Sequence, residues 1–255
     1  HYKEKALKNI KELDEIVCIS DKQLQFFNDK FEPIVRGKLA KIYNGYDGVP
    51  SPDARSLKKL LGIPENDFVF GMVSRGIAEK GWEVAIEAFL KLNAPNTHLV
   101  LVGESEYMRA LSNSYSSYKN IYFTGHSDKP LDWIKIMDVG LLPTTYPSES
   151  LPTIIIEYLC CGIPSVASDA GEIVNMLQYE GKQAGLVVPI VNGSVSVDGV
   201  KDAMQRYLTD KKFYEEHKAN AELCYNQFDM DKCLASYYNI YYNSILDKIE
   251  KQSSN

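Results

Sequence analysis

The sequence predicts a doubly wound, Rossmann-like α/β domain on a parallel sheet, followed by C-terminal helices. Two observations carry that prediction. Short runs such as FVFGMVS (68–74) and THLVLVGE (97–104) are apolar throughout instead of alternating, the pattern of strands buried on both faces. Longer amphipathic runs lie between them, and strand–helix alternation implies parallel strands joined by right-handed crossovers. At 255 residues, 45% hydrophobic and 24% charged, the chain has room for one large or two small domains.

EIVCIS (15–20) reads as a strand, with Ser20 and Asp21 capping the helix that follows. KLAKIYNG (38–45) is a strand ending in an Asn-Gly turn. After FVFGMVS, a helical pattern runs from Lys80 to Leu92, and another helical segment follows THLVLVGE. NIYFTG (120–125) precedes DKPLDWIKIMD, where Leu131, Ile134 and Met137 recur at helical spacing. VGLLP (139–143), PSVAS (164–168) and GLVVP (185–189) complete the strands, and residues 195–250 are helical. The last helix carries Tyr237, Tyr238, Ile240, Tyr241, Ile245 and Leu246 over much of its surface. That face is expected either to pack on this domain or, in part, to lie against a missing neighbour. The chain opens at His1 without a methionine and is expected to be a fragment of something longer.

The net charge of -6 argues against a general nucleic-acid or membrane-surface protein. No apolar run approaches a membrane-spanning length. Five cysteines, an odd number without metal-ligand spacing, favour reduced thiols in the cytoplasm over a disulfide framework. The chain has no Gly-x-Ser-x-Gly, no Walker lysine loop and no Gly-x-Gly-x-x-Gly, so dinucleotide redox chemistry is unsupported.

In doubly wound sheets, ligands bind beyond the carboxyl ends of the strands. SRGIAEKGW (74–82) occupies such a place. Its Arg75 and Lys80 suit a diphosphate, which needs both a planar clamp and a point charge, and Gly76 permits close backbone approach. The plainer reading is a solvated loop with two surface cations. PSESLPTIIIEYLCCGIP (147–164) follows another strand end. Its helix is expected to begin near Ser150 as cap, with Pro152 in the first turn and free N–H groups around Leu151 and Thr153. Glu157 then lies about two turns inside, on the apolar side. It could accept hydrogen bonds from a vicinal diol or pair with a neighbouring cation. Glu149, before the helix, reads by itself as a solvated loop residue. Gly103 ends a strand, and the backbone near His126 and Ser127 is suited to read a base edge. The His126 side chain reads as a surface cap.

Taken together, IYNGYD (42–47), SRGIAEKG, LVLVGE, FTGH and ESLPTIIIEYLCCGIPSVASDAGE (149–172) resemble a retaining glycosyltransferase of family 4, with the GT-B fold. The resemblance covers residues 14 to 250, and its Glu-x7-Glu and Arg-x4-Lys elements are specific. It implies a donor-binding domain over 15–228 and a crossover helix and tail over 229–255. Residues 1–14 would be the tail of a missing N-terminal acceptor domain. It implies retaining hexosyl transfer from a UDP-sugar or GDP-sugar to a glycan or lipid-linked acceptor in polysaccharide biosynthesis. It also implies no cofactor, no metal, no nucleic acid, and peripheral membrane association of the longer protein. Arg75 and Lys80 would hold the diphosphate, Glu157 the ribose and Glu149 the sugar hydroxyls. Backbone groups of Leu151 and Thr153 would meet the distal phosphate, and those near His126 the base. Two departures stand out: Ser150 replaces a usual glycine, and Ala170-Gly171 replaces paired glycines. A rival reading is a non-catalytic nucleotide-sugar-binding module that works with a separate acceptor-binding chain.

Overall fold

The computed structural model describes residues 2–51 and 56–253. The chain forms two compact units, Gly48–Gln227 and a second made of His1–Asp47 with Phe228–Asn255. Residues 15–47 therefore group with the C-terminal helix and not with the segment that follows them. His1 and the last two residues of the polar tail lie outside the described residues.

The smaller unit contains α1 (Tyr2–Glu12), β1 (Ile16–Cys18), α2 (Asp21–Phe31), β2 (Leu39–Lys41) and α11 (Met230–Ser253). Ser20 caps α2 as expected, its hydroxyl accepting from the Gln23 N–H at 3.2 Å. Among the described residues, the strands β1 and β2 pair in parallel only with each other. An apolar run identifies a buried strand but not the sheet it joins, so the expectation of one common sheet does not extend to these two. The Asn44-Gly45 turn abuts the start of α11, where the Tyr46 N–H donates to the Phe228 carbonyl at 2.8 Å. Along α11, Leu234, Tyr238, Tyr241, Tyr242, Ile245 and Ile249 are all exposed.

The larger unit holds α3 (Ser56–Leu60), β3 (Phe68–Val73), α4 (Trp82–Leu92), β4 (Thr97–Val102), α5 (Glu106–Ser114) and β5 (Ile121–Gly125). It continues through α6 (Pro130–Ile134), β6 (Val139–Leu142), α7 (Thr153–Cys160), β7 (Ser165–Ser168), α8 (Ile173–Met176) and β10 (Gly185–Val188). Two short antiparallel pairs follow α8 and β10: β8 (Gln178–Tyr179) with β9 (Lys182–Gln183), and β11 (Ile190–Val191) with β12 (Ser194–Val195). The helices α9 (Val197–Thr209) and α10 (Lys211–Tyr225) close the unit. The six-stranded sheet has the order β10-β7-β6-β3-β4-β5, all parallel, as expected for a doubly wound fold. Its strands are buried as their composition demands: Val69, Phe70 and Met72 on β3, Leu99 to Val102 on β4, and Leu141 and Leu142 on β6. Helix α4 packs on α9, and α7 on α10. Burying each such Leu, Ile or Phe contributes about 1.5–3 kcal/mol.

The chain order runs outward from β3 in one direction and then restarts at β6 on its other side. The β3/β6 boundary is therefore the topological switch point. Six residue pairs join β3 to β4, but only Phe70↔Val139 and Gly71↔Gly140 join β3 to β6. Beyond them, the Tyr158 hydroxyl of α7 bridges the strands, donating to the Leu141 carbonyl (3.2 Å) and accepting from the Val73 N–H (3.3 Å). A Cβ on Gly140 would lie 2.6 Å from the Tyr158 ring, and one on Gly71 would strike the Met137 sulfur.

Candidate functional site

The loop after β3 is held from both sides. Gly81 has φ +86, and a Cβ there would collide with the Pro143 carbonyl. That left-handed turn ends a 3₁₀ turn at Ala78–Lys80, so α4 starts at Trp82 and not at Lys80 as expected. The Trp82 indole N–H donates to the Arg75 carbonyl at 3.1 Å. The Ser105 hydroxyl caps α5 by accepting from the Met108 N–H and donates to the Gly76 carbonyl at 2.7 Å. A Cβ on Gly76 would meet that hydroxyl at 2.5 Å, and one on Gly103 would meet the Ser74 carbonyl at the same distance. Both glycines thus serve close packing of the loops around the pocket.

The loop after β6 crosses this first loop. Lys80 and Glu149 are only 6% and 7% exposed, and the ammonium lies 2.5 Å from the Glu149 carboxylate. Glu149 is therefore not the solvated loop residue that its sequence position suggests. Thr144, fully buried, has its hydroxyl 3.2 Å from Glu149 Oε2 and 3.0 Å from the Glu79 carbonyl, and accepts from the Tyr146 N–H. The Tyr146 ring lies 4.9 Å from the Lys80 ammonium and 5.1 Å from the Arg75 guanidinium. One aromatic ring thus serves two cations, each such contact contributing roughly 0.5–2 kcal/mol according to its exposure.

Helix α7 begins at Thr153, with Pro152 as its cap in extended geometry (φ -66, ψ 114). This corrects the expected start at Ser150: proline has no N–H to contribute and its fixed φ suits the position just before the helix. Glu157 is consequently one turn into α7, half-buried. Thr153 and Ile154 head the helix, where backbone N–H groups have no intrahelical partner. The Ser150 carbonyl accepts from the Glu172 N–H at 2.8 Å, and Gly171 (φ +58) passes within 2.6–2.7 Å of the Ser150 and Glu149 carbonyls when given a Cβ. The departure at Ala170-Gly171 thus retains the glycine that the loop requires.

These elements enclose a cavity of about 660 Å³ at the switch point. Arg75, Gly76, Lys80, Gly103, His126, Glu149, Pro152, Thr153 and Glu157 all line it. Ser150 and Leu151 do not, and Leu151 is buried. The His126 side chain is exposed, 2.9 Å from Asp128, as its surface reading expects. Ser105, Ser127 and Ile154 also line the cavity, and sequence reasoning missed Thr144 and Tyr146 behind it. An aromatic residue beside a proline in a strand-end loop was the available signal for Tyr146. Nothing in the sequence marked Thr144. Among the described residues, no cluster of three or more His, Cys, Asp or Glu could hold a metal ion.

Arg75 and Lys80 thus meet Glu104, Glu149 and Glu157 in one pocket at the switch point of a six-stranded parallel Rossmann-like sheet, where doubly wound α/β proteins bind their ligands. Residues 53–223 match the family of group 1 glycosyl transferases, and the chain belongs to that family. It is 25% identical over 200 residues to the N-acetyl-alpha-D-glucosaminyl L-malate synthase of Bacillus anthracis, covering 76% of this chain and 50% of that protein. It is 24% identical over 247 residues to the Escherichia coli UDP-Gal:alpha-D-GlcNAc-diphosphoundecaprenol alpha-1,3-galactosyltransferase, covering 91% and 61%. The chain thus spans about half to three-fifths of these relatives' length. Anabaena Alr3699/HepE, solved in complex with UDP and glucose, has a TM-score of 0.79 at 20% identity over 94% of this chain and 66% of that one.

Proposed function

We propose that this chain is the C-terminal, donor-binding part of a retaining family 4 glycosyltransferase that uses a nucleotide-diphospho-sugar. The observation that carries this reading is the meeting of Arg75, Lys80, Glu149 and Glu157 around one cavity at the switch point of a group 1 glycosyl transferase. Arg75 and Lys80 take the diphosphate, and Thr153 with its neighbouring N–H groups takes the distal phosphate. Glu157 accepts from the ribose hydroxyls, Glu149 from the sugar hydroxyls, and the backbone near His126 meets the base. When the bond between sugar and phosphate breaks, its electron pair goes to the phosphate. Fixed cations stabilise the charge that develops there, an effect typically worth several kcal/mol.

In this reading no metal takes part, and an acceptor glycan or lipid-linked glycan is supplied through a further domain. The UDP complex of the structural neighbour and the uridine donor named for the Escherichia coli relative favour UDP over GDP as a first probe. Work in the cytoplasm, with the longer protein at the membrane surface, completes the proposal. Among the described residues, no helix is long and apolar enough to cross a membrane.

Calorimetric titration with UDP and GDP tests this. Binding of one of them is expected, unchanged by EDTA, with Arg75→Ala weakening it about ten-fold or more, as loss of a charge-assisted phosphate contact would. Absence of binding by both nucleotides and by their nucleotide sugars overturns the proposal.

A further inference from the structure

Lys80 and Glu149 meet in the pocket wall at 2.5 Å, with both side chains 8% exposed. Opposite charges so close largely cancel at a distance. Arg75 is exposed on the same cavity, whereas the charge that Lys80 offers a phosphate is partly offset by Glu149. The pair is held from three sides. The Thr144 hydroxyl reaches Glu149 Oε2, the Tyr146 ring faces the Lys80 ammonium, and Gly171 with the Glu172 N–H fixes the backbone at Glu149 and Ser150. An anion drawn to Lys80 is therefore drawn equally towards a buried carboxylate, where little water screens the repulsion.

We propose that the Lys80–Glu149 pair is a charge gate that favours the intact nucleotide-diphospho-sugar over the bare nucleoside diphosphate, with Glu149 the discriminating residue. The inference rests on the donor-binding reading above. The bare diphosphate ends in an unesterified phosphate, which carries an additional negative charge and has no hydroxyls to offer. In the intact donor that phosphate is esterified and the sugar brings O–H donors. A carboxylate has about four lone-pair positions, so Glu149 can accept from a sugar while keeping Lys80 and Thr144. During transfer, the sugar–phosphate bond breaks and the acceptor oxygen bonds the sugar carbon. The acceptor's proton passes to the leaving phosphate and thence to solvent. The product so formed is held by Arg75 and Lys80 but repelled by the Glu149 carboxylate, which speeds its departure.

The test compares UDP with UDP-glucose, and GDP with GDP-mannose, by calorimetry on the wild type and Glu149→Gln. Glu149→Gln is expected to bind the nucleoside diphosphate roughly ten-fold more tightly and the nucleotide sugar no more tightly. A fall in diphosphate affinity would mean that Glu149 only positions Lys80, and equal changes for both ligands would mean that it does not discriminate. Either result overturns the gate. Should Glu149→Gln not fold, the double variant Lys80→Met/Glu149→Gln decides, since neutral replacement of a buried pair is often tolerated. Its diphosphate affinity falls with the loss of Lys80, but its preference for the nucleotide sugar over the diphosphate is expected to shrink about ten-fold, and an unchanged preference refutes the gate. If wild type binds none of the four ligands, the donor-binding reading itself falls, a result distinct from failure of the gate.

Discussion

Tyr146 shows how a single side chain can organise a site without carrying charge. Its ring lies about 5 Å from two cations that belong to a different loop. Tyr146→Ala should weaken nucleotide binding by a few-fold, whereas Tyr146→Phe should not, because the ring and not the hydroxyl makes both contacts. Equal losses in the two variants by titration would refute this. Glu149 and Lys80 were legible as polar residues at strand ends, but their pairing was not. They lie 69 residues apart, and nothing local in either segment encodes the contact. Glu157 was legible because a carboxylate in a run of isoleucines needs a partner or ligand. Pro152 was placed inside the first turn and is instead the cap; with the helix starting at Thr153 and not near Ser150, Glu157 lies one turn inside it and not two.

At the scale of elements, the strands of the six-stranded sheet were readable because unbroken apolar runs have few alternatives. Their order was not, since the sheet depends on crossovers that no single run records. The helices α9 and α10 show a further hidden interaction. His217 is 3% exposed, packs against Phe213 and has Nδ1 2.8 Å from the Tyr207 hydroxyl. Burial lowers its pKa from 6.5 to about 4. As the pH falls below 6.5, the unfolded chain takes up this proton before the folded one does. The contribution of this group to stability is therefore lost between about pH 6.5 and pH 4 and does not change further below that range. The loss should approach about 3 kcal/mol. Urea midpoints at pH 7.5 and 4.5 should differ more for the wild type than for His217→Phe, and identical differences would refute the assignment.

For the whole molecule, the sequence showed that the tyrosines and isoleucines of the last helix extend beyond a single stripe, and of these Tyr238, Tyr241, Ile245 and Leu246 are exposed. It did not reveal that residues 15–47 group with that helix, since this depends on contacts between the chain's two ends. Replacing both Tyr241 and Ile245 with glutamate should shift Tm by no more than about 2 °C, because both side chains are exposed. A larger fall in a thermal melt would show that they are packed in the folded chain. The glycine seam between β3 and β6 has an evolutionary consequence. The volume missing at position 140 is taken up by Tyr158, so the two positions should vary as a matched pair. Gly140→Ala alone should cost about 1–3 kcal/mol through overpacking. Shrinking Tyr158 to Leu should then cost at least about 1 kcal/mol less in the alanine background than in the wild type. A chain that gained the methyl without losing the ring would widen the crevice where the two halves of the sheet meet. It would change the shape of the pocket without altering any residue that lines it.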